Sequence, residues 1–129
     1  MKIKKLLPII LSMFLFVGCN PSQTQANSYK QVSMEEAVQM MKEQSGYIIL
    51  DVRTPEEYSQ GHIPNAINLP NENIGSADMA QLPKKDQLIF VYCRSGRRSK
   101  EAAQKLVNLG YTNIVEMGGI LDWKGELEV

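Results

Sequence analysis

Cys93 heads a loop of unusual composition, Cys93-Arg94-Ser95-Gly96-Arg97-Arg98-Ser99, with Lys100 next. Three arginines directly after a thiol make a setting for anion chemistry, because nearby positive charge and free amides favour an ionised sulfur. Gly96 can take dihedrals closed to other residues, which lets successive amides turn toward one point. A helix starting here adds its unpaired N–H groups and the positive end of its dipole. On this reading Cys93 is a nucleophile and Ser95, Gly96, Arg97 and Arg98 supply amides that hold a sulfur anion in place of water. Arg94 and Arg97 then steer an anionic substrate toward it. The plainer alternative is a buried cysteine ending a strand beside a solvated basic turn.

Such a loop needs a strand that stops at the thiol and a helix that begins after it. Leu88 to Tyr92 is an apolar strand pattern, and a helix is expected from Ser99 to Leu109, closed by Gly110. The carboxyl end of a parallel strand is where open α/β sheets bind ligands. The rest of the chain alternates in the same way. Tyr29–Val32 reads as a short strand. Ser33 and Glu36 form a capping box, and Met34, Ala37, Val38 and Met41 continue a helix to about Gln44, with Gly46 ending it. Tyr47–Val52 reads as a strand buried on both faces. Thr54-Pro55-Glu56-Glu57 opens a second, short helix stopping near Gly61. Ala66–Leu69 is a third strand, and Pro70–Asp86 a polar connection with one helical turn near Ala77 to Gln81. Asn113–Val115 is a fifth strand, and Gly118-Gly119 turn the chain into a last short helix containing Trp123. The alternation predicts an α/β fold with a parallel sheet covered on both faces. Trp123 and the helical methionines are expected to fill the core.

Three further polar residues bear on the site. Asp51 ends a buried strand, where an unpaired charge is costly. It is expected to pair with an arginine of the Cys93 loop or to accept from the loop's amides, with a remote structural role as the alternative. Arg53 pairs with Glu56 or Glu57, or else helps to bind an anionic donor. His62, the only histidine, is expected to be a satisfied structural residue in a turn rather than a general base.

The Cys93–Ser99 loop resembles the active-site loop of the rhodanese family. Asp51-Val52-Arg53-Thr54-Pro55-Glu56-Glu57-Tyr58 and Gly61-His62-Ile63-Pro64-Asn65-Ala66-Ile67-Asn68 resemble that family's other signature, and Gly118-Gly119 with Trp123 its C-terminal pattern. Asn65 stands where glycine is commonest. The resemblance covers about residues 29–126. It implies a three-layer rhodanese-like fold, a five-stranded parallel sheet with helices on both faces, and a nucleophilic Cys93 that accepts sulfane sulfur. It implies no metal and no organic cofactor. Related phosphatases have one more residue in the loop, so four residues between Cys93 and Arg98 suit a single sulfur atom better than a phosphate.

The chain begins Met-Lys-Ile-Lys-Lys, followed by a twelve-residue apolar run from Leu6 to Val17. A positive flank and a short apolar stretch are the layout of a secretory signal over residues 1–18. The run is shorter than the roughly 20 residues that span a bilayer, and it contains Pro8. Leu15-Phe16-Val17-Gly18-Cys19 resembles a bacterial lipoprotein box, which implies a lipidated Cys19 and an anchored, extracytoplasmic protein of the cell envelope. Residues 19–28 then form a polar, uncharged tether, and residues 29–129 the domain. With Cys19 lipidated, Cys93 is the only thiol left, which excludes an internal disulfide.

Three of the fourteen basic residues lie in residues 1–18, so residues 19–129 carry eleven basic against fourteen acidic side chains. That balance excludes the broad basic face that nucleic acid requires. The leading expectation is a sulfurtransferase, monomeric by default. Its donor is a small anion such as thiosulfate or a persulfide, and its acceptor a thiol or cyanide. The rival is a thiol relay or binding module that docks an envelope partner through Cys93.

Overall fold

The computed structural model describes residues 28–76 and 78–129. The expected signal segment 1–18, Cys19 and the tether up to residue 27 lie outside the described residues, as does Ala77.

Five strands form one parallel sheet: β1 (Lys30–Gln31), β2 (Ile48–Asp51), β3 (Ile67–Asn68), β4 (Ile89–Cys93) and β5 (Ile114–Gly119), in the order β1-β5-β4-β2-β3. Central β4 is buried at every residue, which is why it reads as an unbroken apolar run. Strand side chains alternate between two cores. Ile89, Val91, Cys93, Leu50 and Ile114 point to one face, where Ala102, Ala103, Leu106 and Val107 of α3 (Arg97–Asn108) cover them. Phe90, Tyr92, Ile49, Val115 and Met117 point to the other, under Met34 and Ala37 of α1 (Met34–Glu43) and beside Tyr58 of α2 (Pro55–Gln60). The fold is therefore the expected α/β arrangement with helices on both faces.

Both capping boxes form. Ser33 Oγ accepts from the Glu36 amide at 3.0 Å while the Glu36 carboxylate accepts from the Ser33 amide at 3.1 Å. Thr54 and Glu57 repeat the exchange at the head of α2, at 3.2 and 3.1 Å, with Pro55 in the first turn.

Four local expectations change. Helix α3 starts at Arg97 rather than Ser99, because Gly96 takes a left-handed conformation (φ 114°) and caps it. β5 extends through Gly119, with a break in its register against β4 where Gly118 takes a left-handed φ of 86°, and the last short helical turn starts only at Ile120. The helical turn of the long connection sits at Asn71–Asn73, while near Met79 to Leu82 there is only a single turn closed by the Leu82 amide on the Met79 carbonyl. Trp123 follows a short 3₁₀ turn, Ile120–Asp122, and is half-buried at the margin of the core rather than inside it.

Candidate active site

β4 ends on Cys93, whose register partner is Gly119 on β5. The loop to α3 folds back over this point, and Gly119 is what allows it: a Cβ there would lie 2.0 Å from the Arg94 carbonyl oxygen and 2.6 Å from Ser95 Cα. Gly119, expected together with Gly118 to turn the chain, gives the loop its floor.

Cys93 is a free thiol and only 1% exposed. Its Sγ accepts from the Gly96 amide at 3.0 Å and donates to Ser99 Oγ at 3.5 Å. Among the described residues Gly96 is the amide bonded to Sγ. Those of Arg97, Arg98 and Ser99 lie in the first turn of α3, where helical N–H groups have no intrahelical acceptor. Ser95 is exposed at the crown of the loop. Ser99, the last residue of the loop that resembles an active-site loop, adds a hydroxyl beside the sulfur.

The three arginines divide. Arg98 is clamped by Glu57 of α2 in a two-pronged pair, Nη1 to Oε1 at 2.8 Å and Nη2 to Oε2 at 3.0 Å. The bond from Arg98, against some opposition from burial, holds the Glu57 carboxyl down from its ordinary 4.5 to about 2. Arg98 is raised in turn, first by the bond to Glu57, with a smaller contribution from Cys93. Arg97 is exposed and pairs with Glu101 one turn on, at 3.2 Å. Arg94 is exposed and its side chain bonds no other described residue. It borders a cavity of about 330 Å³ together with Arg53, Glu57, Gln60, Leu121 and Leu127. A larger cavity of about 740 Å³ lies at the amino ends of β4 and β5, by Met40, Leu88 and Asn113, and holds no cysteine.

Asp51 takes the structural alternative, and Arg53 does not pair with Glu56 or Glu57. Asp51, fully buried, binds no arginine of the loop. Its carboxylate takes the Arg53 amide (2.9 Å), Nε and Nη2 (2.7 Å), and the Tyr92 hydroxyl (2.7 Å). Arg53 therefore pairs with Asp51, not with Glu56 or Glu57, and Nη2 also donates to the Gly61 carbonyl at 2.7 Å. At two residues' separation the arginine folds back on the strand end before either partner can reach the loop. Burial, then the bond to Asp51, pushes the Tyr92 phenol well above its ordinary 10. These residues brace the sheet edge beneath the site. His62 is structural as expected: it stacks on Tyr58 with ring centres 3.8 Å apart, and Nδ1 lies 2.9 Å from the Tyr58 carbonyl.

Sequence reasoning missed Glu116. It lies on β5, 1% exposed, and its Oε2 accepts from the Ser99 hydroxyl at 2.5 Å and the Gly118 amide at 2.8 Å. A signal was present: an acid inside the apolar run Ile114-Val115-Glu116-Met117, just as Asp51 interrupts its own strand.

Known proteins resemble this chain in sequence and in fold. A family model described as the rhodanese-like domain matches residues 33–126. The thiosulfate sulfurtransferase PspE of Escherichia coli (strain K12) is 38% identical over 73 residues, covering 57% of this chain and 70% of that protein. A sulfurtransferase of Allochromatium vinosum is 36% identical over 94 residues, covering 72% and 86%. Among solved structures, a rhodanese-like domain protein from Staphylococcus aureus superposes with a TM-score of 0.68 at 30% identity, over 78% of this chain and 97% of that one.

Proposed function

The chain belongs to the rhodanese-like family, and from that premise we propose that it is a sulfurtransferase in which Cys93 carries the travelling sulfur as a persulfide. The Cys93 thiolate attacks the sulfane sulfur of a donor such as thiosulfate. The bond between the two donor sulfurs breaks, sulfite leaves with its electron pair, and Cys93 retains an outer sulfur anion. A thiophilic acceptor, cyanide or a thiolate, then attacks that outer sulfur and returns Cys93 to the thiolate. No external oxidant or reductant is consumed.

The observation that carries the reading is the placement of Cys93 Sγ at the amino end of α3, bonded to the Gly96 amide at 3.0 Å. An outer sulfur anion is a larger target for the same ring, and the free first-turn amides of α3 offer it donors without reorganisation. Arg94, with no side-chain partner among the described residues, collects the donor at the rim, helped by Arg97. Arg98, held by Glu57, fixes the loop and contributes positive charge from a set position. Two relatives named as sulfurtransferases support the assignment. Residues 1–18 act as a secretory signal, and a lipidated Cys19 holds the domain at the extracytoplasmic side of a membrane.

The test is direct. Protein treated with thiosulfate should gain the mass of one sulfur atom on Cys93, release it to cyanide as thiocyanate, and lose both properties in Cys93→Ser. A Cys93→Ser variant that still makes thiocyanate, or a wild-type protein that keeps its thiol and captures only a partner protein, overturns the proposal.

A further inference from the structure

We propose that Glu116 accepts the proton of Cys93 through the hydroxyl of Ser99. The inference rests on Cys93 being the nucleophile. A thiol only 1% exposed has little water beside it and its S–H is directed at Ser99 Oγ, so the nearest acceptor for its proton lies inside the protein.

The atoms around Ser99 Oγ decide how its single proton is used. Its possible acceptors are the Gly96 carbonyl at 3.0 Å, the Gly118 carbonyl at 3.3 Å and Glu116 Oε2 at 2.5 Å. A carboxylate is the strongest of these acceptors. With the Ser99 proton directed to Glu116, the Oγ lone pairs receive the S–H of Cys93. Sulfur, hydroxyl oxygen and carboxylate oxygen thus form one chain holding two protons.

Moving each proton one place along balances without any other reagent. The S–H bond breaks and its proton joins Ser99 Oγ. The original Ser99 proton passes to Glu116 Oε2. The products are a Cys93 thiolate, a Ser99 hydroxyl now donating to it, and a neutral Glu116 donating to Ser99. Both hydrogen bonds persist, so no buried polar group is stranded at either end of the shift. The Gly118 amide stays on Oε2 throughout and fixes the carboxyl. Glu116 is a positioning residue in this scheme, touching no substrate.

The charges around the chain are arranged to keep it isolated. From α3, Arg98 acts on Cys93 and is itself paired with Glu57 of α2, while Arg97 and Lys100 are exposed. From the loop, Arg94 is exposed. At the end of β2 and beyond it, Asp51 and Arg53 are bonded to each other, with Tyr92 of β4 on Asp51. β1 contributes Lys30 and Gln31, both exposed, the latter in register with Glu116. Among the described residues no cation pairs with the Glu116 carboxylate, which leaves it available as a proton acceptor.

Glu116→Gln separates this role from a structural one, since a glutamine oxygen can still accept from Ser99 and Gly118 but cannot take a proton. Three readouts are expected. Alkylation of Cys93 by iodoacetamide near neutral pH slows by about a hundredfold and recovers at alkaline pH. Ser99→Ala gives the same profile, which covers the case of a Gln variant that folds poorly. Infrared spectra of the wild type, taken where thiolate absorbance is present, contain a protonated-carboxyl band that vanishes in Glu116→Gln and in Cys93→Ser. A Gln variant alkylated at or above the wild-type rate at neutral pH, or a band that survives Cys93→Ser, overturns the relay. Neither measurement uses thiosulfate, so failure here is distinct from a failure of Cys93 to gain sulfur.

Discussion

Arg98 and Glu57 show how one pair can serve both stability and the site. Their two-pronged contact is partly buried, with about a quarter of each side chain exposed, so it is worth about 1–2 kcal/mol. Because Arg98 lowers the Glu57 carboxyl to about 2, the stabilisation is fully present above the ordinary 4.5 and is lost as pH falls toward 2. Comparing wild type with Glu57→Gln by denaturant melts should therefore give a constant difference at neutral pH that shrinks between pH 4.5 and 2. Arg94 and Arg98 should also part company kinetically. Arg94→Ala is expected to raise the KM for thiosulfate several-fold with kcat little changed, since an exposed rim charge mainly guides encounter. Arg98→Ala is expected to lower kcat, because it frees the loop and leaves Glu57 unpaired. Steady-state kinetics on the two variants checks both.

At the scale of elements, the helix starts were legible because a capping box is local chemistry written within four residues. Ser33 with Glu36 and Thr54 with Glu57 formed as read. Thr54→Ala should cost about 1 kcal/mol, seen as a lower denaturation midpoint with an unchanged slope. The glycine pair was only partly legible because a turn and a close approach call for the same residue. Only the packing of β5 under the loop shows that Gly119 is needed for space, while its neighbour Gly118 takes a left-handed φ of 86°. Gly119→Ala, whose Cβ would sit 2.0 Å from the Arg94 oxygen, should displace the loop. It is expected to cost about 1–3 kcal/mol and on the order of a hundredfold in sulfur transfer, read from melts and thiocyanate release on the same sample.

Across the whole molecule, the same end of the sheet gathers the Cys93 loop, the Glu57 clamp from α2, Asp51 with Arg53, and the end of β5. Residues 1–28 carry the proposal of an anchored protein, with a test of its own. Cys19→Ser in the full chain should move the protein from the membrane fraction to the soluble one without changing sulfur transfer by the domain, since an acyl chain contributes only through its own burial. The sequence by itself determined the alternation of strands and helices, the parallel sheet, both caps, and Cys93 as the candidate nucleophile. Each of these rests on periodicity or on neighbours a few positions apart. It could not determine which buried charge meets which. Asp51 found Arg53, Arg98 found Glu57, and Glu116 found Ser99, the last two across 41 and 17 positions. Pairing at that range depends on strand register and helix placement, and these exist only once the layers have closed.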